Sequence, residues 1–320
     1  MLARIVVARV ALGLGTLLAV SSLIFFTVSL LPGDFATEIL GQSATPDAVA
    51  QLRHHLRLDE PLATRYLAWL WALLHCDLGT SFASGEGEAR TVASLIGLRL
   101  RNTLFLAGLT ALLAVPLAVG LGIVTALWRN GWLDRIANTL TLTTISCPEF
   151  LMAYVLMLLL AVKYRVFYSL ASVDPGMDGL EVLQRTALPV LTLTLVITAH
   201  MMRMTRAAII GVLGHPYIEM ARCKGISRRR IVLRHALPNA LAPIANVVAL
   251  NLSYLVVGVV VVETVFVYPG IGHTMVDAVR TRDIPVVQAC AIIFAATYIL
   301  LNMLADIVSI AANPKLLYPR

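Results

Sequence analysis

The sequence predicts an all-α polytopic membrane protein with six transmembrane helices, and three observations support that prediction. The 320 residues are 59% hydrophobic and 13% charged, whereas soluble domains contain about 25% charged residues. The apolar residues fall into long charge-free runs that can cross a bilayer at about 1.5 Å per helical residue. The net charge of +7 falls mostly in short loops between these runs. The positive-inside rule explains that distribution, so we expect lipid rather than nucleic acid as the partner.

Residues 1–33 are predicted to form a short cytoplasmic tip and the first transmembrane helix. The charge-free run 10–33 has 24 residues, which exceeds the apolar core of a signal peptide. About 20 residues suffice to cross the hydrocarbon core. Arg4 and Arg9 precede the run, so the positive-inside rule places its N-terminus in the cytoplasm.

Residues 34–101 are predicted to be an extracytoplasmic segment with short interfacial helices, because six basic and eight acidic residues remove the basic bias. Pro46-Asp47, followed by apolar residues at helical spacing, indicates a short amphipathic helix. A second helix is expected after Pro61, at residues 62–74, which are too few to span. Its aromatic residues favour an interfacial position. Packing against the transmembrane helices is the alternative.

Residues 102–312 are predicted to be a transmembrane core of five further helices. The expected spans are 102–128, 136–162, 186–202, 236–262 and 284–305. The span 136–162 is broken by Cys147-Pro148-Glu149, and the span 186–202 continues into the cytoplasm past Arg206. An outer loop is expected after Tyr268-Pro269-Gly270. The even number of spans places both termini, including a tail at 313–320, in the cytoplasm.

A basic stretch between Pro216 and Pro238 is predicted to form a compact knob on the cytoplasmic side. Pro216 suits the first position of a helix, and Glu219 lies in its first turn, where the helix dipole favours an anion. Gly225 suits the left-handed residue that ends the helix. Ser227 can cap a second helix that starts at Arg228. The alternative is an ordinary basic loop that follows the positive-inside rule.

The same stretch resembles a motif of ABC-importer permease subunits, E-A-A-x3-G-x9-I-x-L-P. Here it reads Glu219-x-Ala221-x3-Gly225, followed by Leu237-Pro238, with Met220 at the first alanine and His235 at the isoleucine. Residues 221–230, 234–243 and 262–272 are similar to the dipeptide/oligopeptide/nickel branch of that family. The resemblance covers nearly the whole chain. The long segment after the first span resembles the first, or "B"-type, permease of such pairs.

The resemblance implies the type I ABC importer permease fold in a bacterial inner membrane, with residues 216–225 as the coupling helix that inserts into a groove of an ATPase. It also implies a second homologous permease, two ABC ATPase subunits and an extracytoplasmic solute-binding protein. Short peptides are the expected cargo, with nickel chelates, other peptide-like solutes and haem left open. The coupling residues carried over are Pro216, Tyr217, Glu219, Met220, Ala221, Arg222, Lys224, Gly225 and Arg228.

The chain itself is expected to be a permease rather than an enzyme, with no catalytic residues. Its three lysines are Lys163, Lys224 and Lys315, and none precedes Ser or Thr, so the P-loop sequence G-x-x-x-x-G-K-[ST] is absent. We therefore expect ATP and Mg²⁺ to be bound by the partner ATPases and no cofactor in this chain. The scattered cysteines and histidines predict no metal site and no disulfide framework.

A proton-coupled secondary transporter is the alternative function, and it would depend on Glu149. A carboxylate within a span is costly unless it has a role or a partner, so Glu149 is predicted to line the translocation path, or else to face a polar neighbour near the kink. Weaker path candidates share the fifth span, where Asn and Ser also bridge helices. These candidates are Asn246, Asn251, Ser253 and Glu263. A receptor or scaffold is a third class, but the sequence offers no soluble domain for it.

Overall fold

The structure, a computed structural model, describes residues 2–30, 37, 44–55, 58–83, 90–174 and 176–312. It is built from α-helices with two π-helical segments, at Met157–Lys163 and Val232–Ala236. The predicted tail at 313–320 lies outside the described residues. The helices are α1 Leu2–Ser29, α2 Pro46–His55, α3 Leu62–Leu74, α4 Val92–Leu127, α5 Trp132–Ser146, α6 Glu149–Leu156, α7 Gly179–Leu213, α8 Pro216–Cys223, α9 Arg228–Ile231, α10 Leu237–Val265, α11 Ile271–Arg280 and α12 Ile284–Ala312.

Five helices among the described residues are long and apolar enough to cross a membrane, and a bent pair supplies the sixth span. The five are Val6–Ser29, Val92–Leu127, Gly179–Leu213, Arg229–Val265 and Ile284–Ile307. The sixth consists of Trp132–Ser146 and Glu149–Lys163, which are bent by 107° relative to each other. The predicted all-α architecture with six transmembrane helices is confirmed, and one span is bent rather than straight.

The bend lies where the sequence predicts a break. Pro148 has an extended backbone at the N-cap of α6 and has no N–H to continue the hydrogen bonds of α5. The sharp angle follows because Cys147 is also extended, so two successive residues leave the helical conformation. The second half ends as a π-helical segment.

The chain divides into two compact units, and described residues of 1–13, 102–269 and 297–320 form the first. Its core is centred on α7, whose buried residues lie along most of its length. Leu188, Leu193 and Met201 of α7 are buried in one cluster with Leu106 of α4 and Val259 of α10. Several threonines of α7, including Thr192 and Thr205, are buried in the protein as well.

Described residues of 14–101 and 270–296 form the second unit. In it, α3 packs on the second half of α1: the hydroxyls of Tyr66 and Ser22 are 2.8 Å apart, and the ring centroids of Phe25 and Trp69 are 5.6 Å apart. Trp71 remains 67% exposed. The packed alternative therefore holds for Tyr66 and Trp69, whereas the interfacial position stays a prediction for Trp71.

The predicted outer loop after Gly270 is wrong, since α11 occupies Ile271–Arg280. The charges of this segment suggested a loop, but Ile271, Met275 and Ala278 recur at helical spacing and pack into an apolar cluster with α12. The charged residues lie on the opposite face, which is the arrangement of an amphipathic surface helix.

Helices also extend beyond the apolar runs that predicted them. α4 starts ten residues before 102, and α7 starts at Gly179 rather than 186. The side chain of Asp178 accepts a hydrogen bond from the N–H of Gly179, and Glu181 pairs with Arg185 at 2.8 Å one turn later. Such polar contacts stabilise helical turns outside the hydrocarbon core, where hydropathy gives no signal.

Candidate functional site

The predicted coupling helix is present as α8, which runs from Pro216 to Cys223. Pro216 occupies its first turn, and His215 before it is extended. The N–H of Ile218 donates to the carbonyl of His215 at 2.9 Å. Glu219 lies in the first turn, where its negative charge interacts favourably with the positive end of the helix dipole. The sequence pattern of this short helix therefore agrees with its structure.

Gly225 ends the coupling helix in the left-handed conformation, with φ of +73°. The N–H of Ile226 reaches back to the carbonyl of Ala221 at 3.3 Å, and that of Gly225 to Arg222 at 2.9 Å. These bonds satisfy carbonyls that the helix end would leave free, as in a Schellman motif. The predicted conformation of Gly225 is confirmed.

α8 has one buried face and one exposed face. Ile218 and Ala221 are buried in a cluster with Ile209 and Val212 of α7 and Ile244 of α10. Six coupling residues carried over from the resemblance are exposed together with Gly225; these are Pro216, Tyr217, Glu219, Met220, Arg222 and Lys224. Ala221 is the exception, because its side chain holds α8 to the chain's own core. The side chain of Arg228 is not among those that the structure describes, so its coupling role stays a prediction.

The segment after Gly225 is continuous with the next transmembrane helix. α9 is followed directly by the π-helical segment Val232–Ala236 and then by α10. Pro238 lacks the N–H that an α-helix would direct to the carbonyl of Arg234. This missing hydrogen bond accounts for the wider, π-helical turn before it. His235 is half-buried in this turn. The second helix of the knob is therefore the first part of the span Arg229–Val265 rather than a separate helix.

Glu149 is the first residue of α6, immediately after the bend. Its side chain is half-buried and has no hydrogen bond or ion pair with any described residue. A Cβ placed on Gly258 of α10 would lie 3.2 Å from its Oε2, so the carboxylate lies directly against the backbone of α10. A larger residue at position 258 would displace it.

The other path candidates are buried among helices of the first unit. Asn251 donates to the carbonyl of Val247 at 2.8 Å, and Ser253 donates to that of Ala249 at 3.1 Å. Asn246 is half-buried. Glu263 is 0% exposed and accepts a hydrogen bond from Thr103 of α4 at 2.6 Å. The structure brings Glu149 together with α10 but not with these four residues, whose path role stays a prediction.

Glu263 belongs to a buried polar group at the end of α10. Tyr268 is 1% exposed, and its hydroxyl donates to the carbonyl of Asn102 at 3.0 Å. Burial, and then the charge of Glu263, raise the pKa of Tyr268 above its ordinary value. The phenol therefore keeps its proton and remains a donor, which ties the end of α10 to α4.

An ion pair between α5 and α7, buried at its carboxylate, was not apparent from the sequence. Asp134 of α5 accepts from Nε of Arg206 at 2.7 Å and from its Nη2 at 2.8 Å. The two residues are 72 positions apart, and Arg206 had been assigned only to the basic end of its span. The one available signal was an acid within an otherwise basic cytoplasmic turn.

In the second unit, the carboxylate of Asp283 accepts hydrogen bonds from a segment distant in the sequence. It accepts hydrogen bonds from the hydroxyl of Ser81 and, at 3.1 Å, from the N–H of Phe82. A cavity of about 490 Å³ adjoins it, with polar walls that include Arg99 and Asp277. These contacts fix the segment around Ser81 against the start of α12.

Comparison with known proteins agrees with this architecture. Residues 118–318 match the family described as binding-protein-dependent transport system inner membrane component. Residues 1–102 match its N-terminal companion, described as binding-protein-dependent transport system membrane component. Together the two matches cover the chain except for residues 103–117 and the last two residues.

Individual relatives agree along almost the full length. The glutathione transport system permease protein GsiC of Salmonella choleraesuis (strain SC-B67) is 38% identical over 306 residues, 95% of each chain. GsiC of Pectobacterium atrosepticum is 38% identical over 303 residues, and GsiC of Escherichia coli (strain K12) is 36% identical over 303 residues, each again covering 95% of both chains.

These matches favour the importer over the proton-coupled alternative. They also agree with an architecture of five spans, or six if the bent pair crosses as one. The protein is a multi-pass inner membrane permease and not itself an enzyme. The chain belongs to the family of binding-protein-dependent transport system inner membrane components, the permease subunits of ABC importers.

Proposed function

We propose that this chain forms half of the translocation path of an importer for short peptides or peptide-like solutes, of which glutathione is the leading example. The relatives that cover 95% of the chain are named as glutathione transport permeases, which supports a solute of that kind. The other half of the path is a second, homologous permease. An extracytoplasmic solute-binding protein delivers the solute, and residues 34–101 lie on its side of the membrane.

The coupling helix α8 is the contact with the ATPases, and its geometry is the single observation that carries this proposal. One face is fixed by buried Ile218 and Ala221, while Tyr217 and Met220 are 44% and 61% exposed. Exposed aromatic and methionine side chains on a rigid support suit a groove in a partner protein. ATP and Mg²⁺ are bound by the two ATPase subunits, and both termini of the permease lie on the same, cytoplasmic side.

Glu149 contributes a polar group to the path at the bend of the third span. A carboxylate within a membrane span that has no partner among the described residues is costly unless something else meets it. The transported solute or the second permease can supply that group. Asn246, Asn251, Ser253 and Glu263 are assigned to the path with less support, because the last three already form hydrogen bonds within this chain.

Purification of the tagged chain in mild detergent, followed by identification of its partners and an ATPase assay, tests this function. We expect two P-loop subunits and a second six-span protein, together with ATP hydrolysis that the binding protein stimulates. Reconstituted vesicles should then take up glutathione in an ATP-dependent way. Purification alone or as a homodimer, with uptake driven by a proton gradient, would overturn the proposal.

A further inference from the structure

The contact between Asp134 and Arg206 is fixed by several hydrogen bonds and is not an incidental ion pair. Asp134 is 3% exposed, and both of its oxygens accept from the guanidinium. The same carboxylate accepts from the N–H of Asn130 at 2.9 Å and from Nδ2 of Asn138 at 2.7 Å. Asn130 has a left-handed φ of 66°. Four donors therefore fix one carboxylate, and they come from both sides of the helix contact.

The two ends of this contact lead to different parts of the transport machinery. Asp134 lies in the first turn of α5, and α5 ends at the bend that Glu149 follows. Arg206 lies two turns before the end of α7, and the coupling helix α8 begins three residues after that end. The pair is thus the charged link between the helix that supports α8 and the first half of the bent span.

The end of α7 also packs closely against α4. A Cβ on Gly122 of α4 would lie 2.7 Å from the side chain of Thr205, so only glycine permits this approach. Ile209 and Val212, one and two turns later, pack against Ile218 of α8. The position of the coupling helix is therefore determined by the end of α7.

We propose that the Asp134–Arg206 pair is a positioning contact that makes α5 follow the coupling helix, so that movement of α8 by the ATPases reaches the bend at Glu149. This inference rests on the proposed function for its coupling partner. A bidentate pair adds a directional contact to the apolar packing between the helices, because two parallel hydrogen bonds fix the geometry of the guanidinium on the carboxylate. The competing role is simple compensation of the buried Asp134 by the partly buried Arg206.

The variants separate these two roles. Asp134→Asn leaves Arg206 without its anion, whereas the double variant Asp134→Leu with Arg206→Met removes both charges and keeps an apolar contact. Replacement of a buried pair by apolar residues often restores stability. Glu181→Gln is the matched control, because it removes an ion pair of the same helix, at its other end.

The first measurement uses the chain alone and does not depend on the ATPases. Cys223, exposed at the end of α8, is spin-labelled together with Thr139→Cys on α5, after replacement of Cys76, Cys147 and Cys290 by Ala. We expect a narrow distance distribution in the otherwise unchanged chain and in Glu181→Gln. It should broaden in Asp134→Asn and remain broad in the stable double variant. A narrow distribution in that double variant would overturn the inference.

The second measurement uses the assembled importer with its binding protein. We expect the double variant to keep both ATPases and to hydrolyse ATP, while stimulation by the binding protein falls about fivefold or more, the smallest change typical of lost coupling between sites. Normal stimulation in the double variant contradicts the inference. Failure of the unchanged chain to bring down ATPases counts against the proposed function instead, and the distance measurement then decides the inference.

Discussion

Two acids on the same bent span have opposite surroundings. Asp134, in the first turn of α5, is buried and accepts four hydrogen bonds from Arg206, Asn130 and Asn138. Glu149, at the bend, is half-buried and meets none from the described residues. A membrane span holds an ionisable group only with a partner or a purpose. Asp134 therefore joins helices within the chain, whereas Glu149 is available to a group outside the chain, such as the solute or a second subunit.

The largest expected effect is loss of stability in Asp134→Ala. Asp134 is 3% exposed, and its removal leaves the partly buried guanidinium of Arg206, 22% exposed, without its anion. The N–H of Asn130 and Nδ2 of Asn138 also lose their acceptor, and loss of such charge-assisted hydrogen bonds costs about 3 kcal/mol. Unfolding of the purified chain in mixed micelles should show this cost, while Glu149→Ala should change the free energy of unfolding by less than about 1 kcal/mol. Equal costs for the two variants would break the comparison.

The next effect concerns transport rather than stability, in Glu149→Gln. If the carboxylate meets a polar group of the solute or the second permease, its neutralisation removes an interaction of about 1.5–3 kcal/mol, or tenfold and more in uptake. Uptake by the reconstituted importer across a pH range measures this. Unchanged transport with an unchanged pH profile would remove Glu149 from the path. Gly258→Leu provides an independent variant, because it displaces the same carboxylate.

A smaller effect is expected at the end of the coupling helix, where conformation rather than charge is at stake. Gly225→Val forces a β-branched residue into the left-handed region, at about 1–2 kcal/mol, although the site has open space around it. Arg229→Ala and Arg230→Ala remove exposed charges that are typically worth tenths of a kcal/mol. Co-purification of the ATPases and their stimulated activity should fall in Gly225→Val only. Equal losses in all three variants would count against a rigid knob.

The smallest effect is expected for an ion pair that resembles the Asp134 pair in distance alone. Arg9 and Asp306 are 2.7 Å apart, but their side chains are 45% and 39% exposed. Solvent screening reduces such a pair to at most about 1 kcal/mol. Asp306→Asn should therefore leave the free energy of unfolding nearly unchanged. A cost as large as that of Asp134→Ala would show that burial is not what distinguishes these acids.

Much of the fold follows from the sequences of short segments. Long apolar runs give the spans because about 20 residues must satisfy their own backbone hydrogen bonds in lipid. Pro216, Glu219 and Gly225 give the coupling helix because capping chemistry acts over a few neighbouring residues. The break before Glu149 follows in the same way from Pro148. The amphipathic α11 was missed although its pattern is local, because its charges were given more weight than its apolar spacing.

Other features depended on residues far apart in the sequence. The sequence alone determined the membrane class, the number of spans, the family resemblance and the conformation of Gly225, because hydropathy, motif and backbone preference are properties of short segments. Only the tertiary structure decided that Asp134 meets Arg206, that Ala221 faces inward, and that Glu149 lies against Gly258. It also decided that no described residue forms a hydrogen bond or ion pair with Glu149. These outcomes depend on how helices rotate and pack against each other. A sequence specifies which groups are ionisable, whereas packing decides which of them are buried and which find a partner.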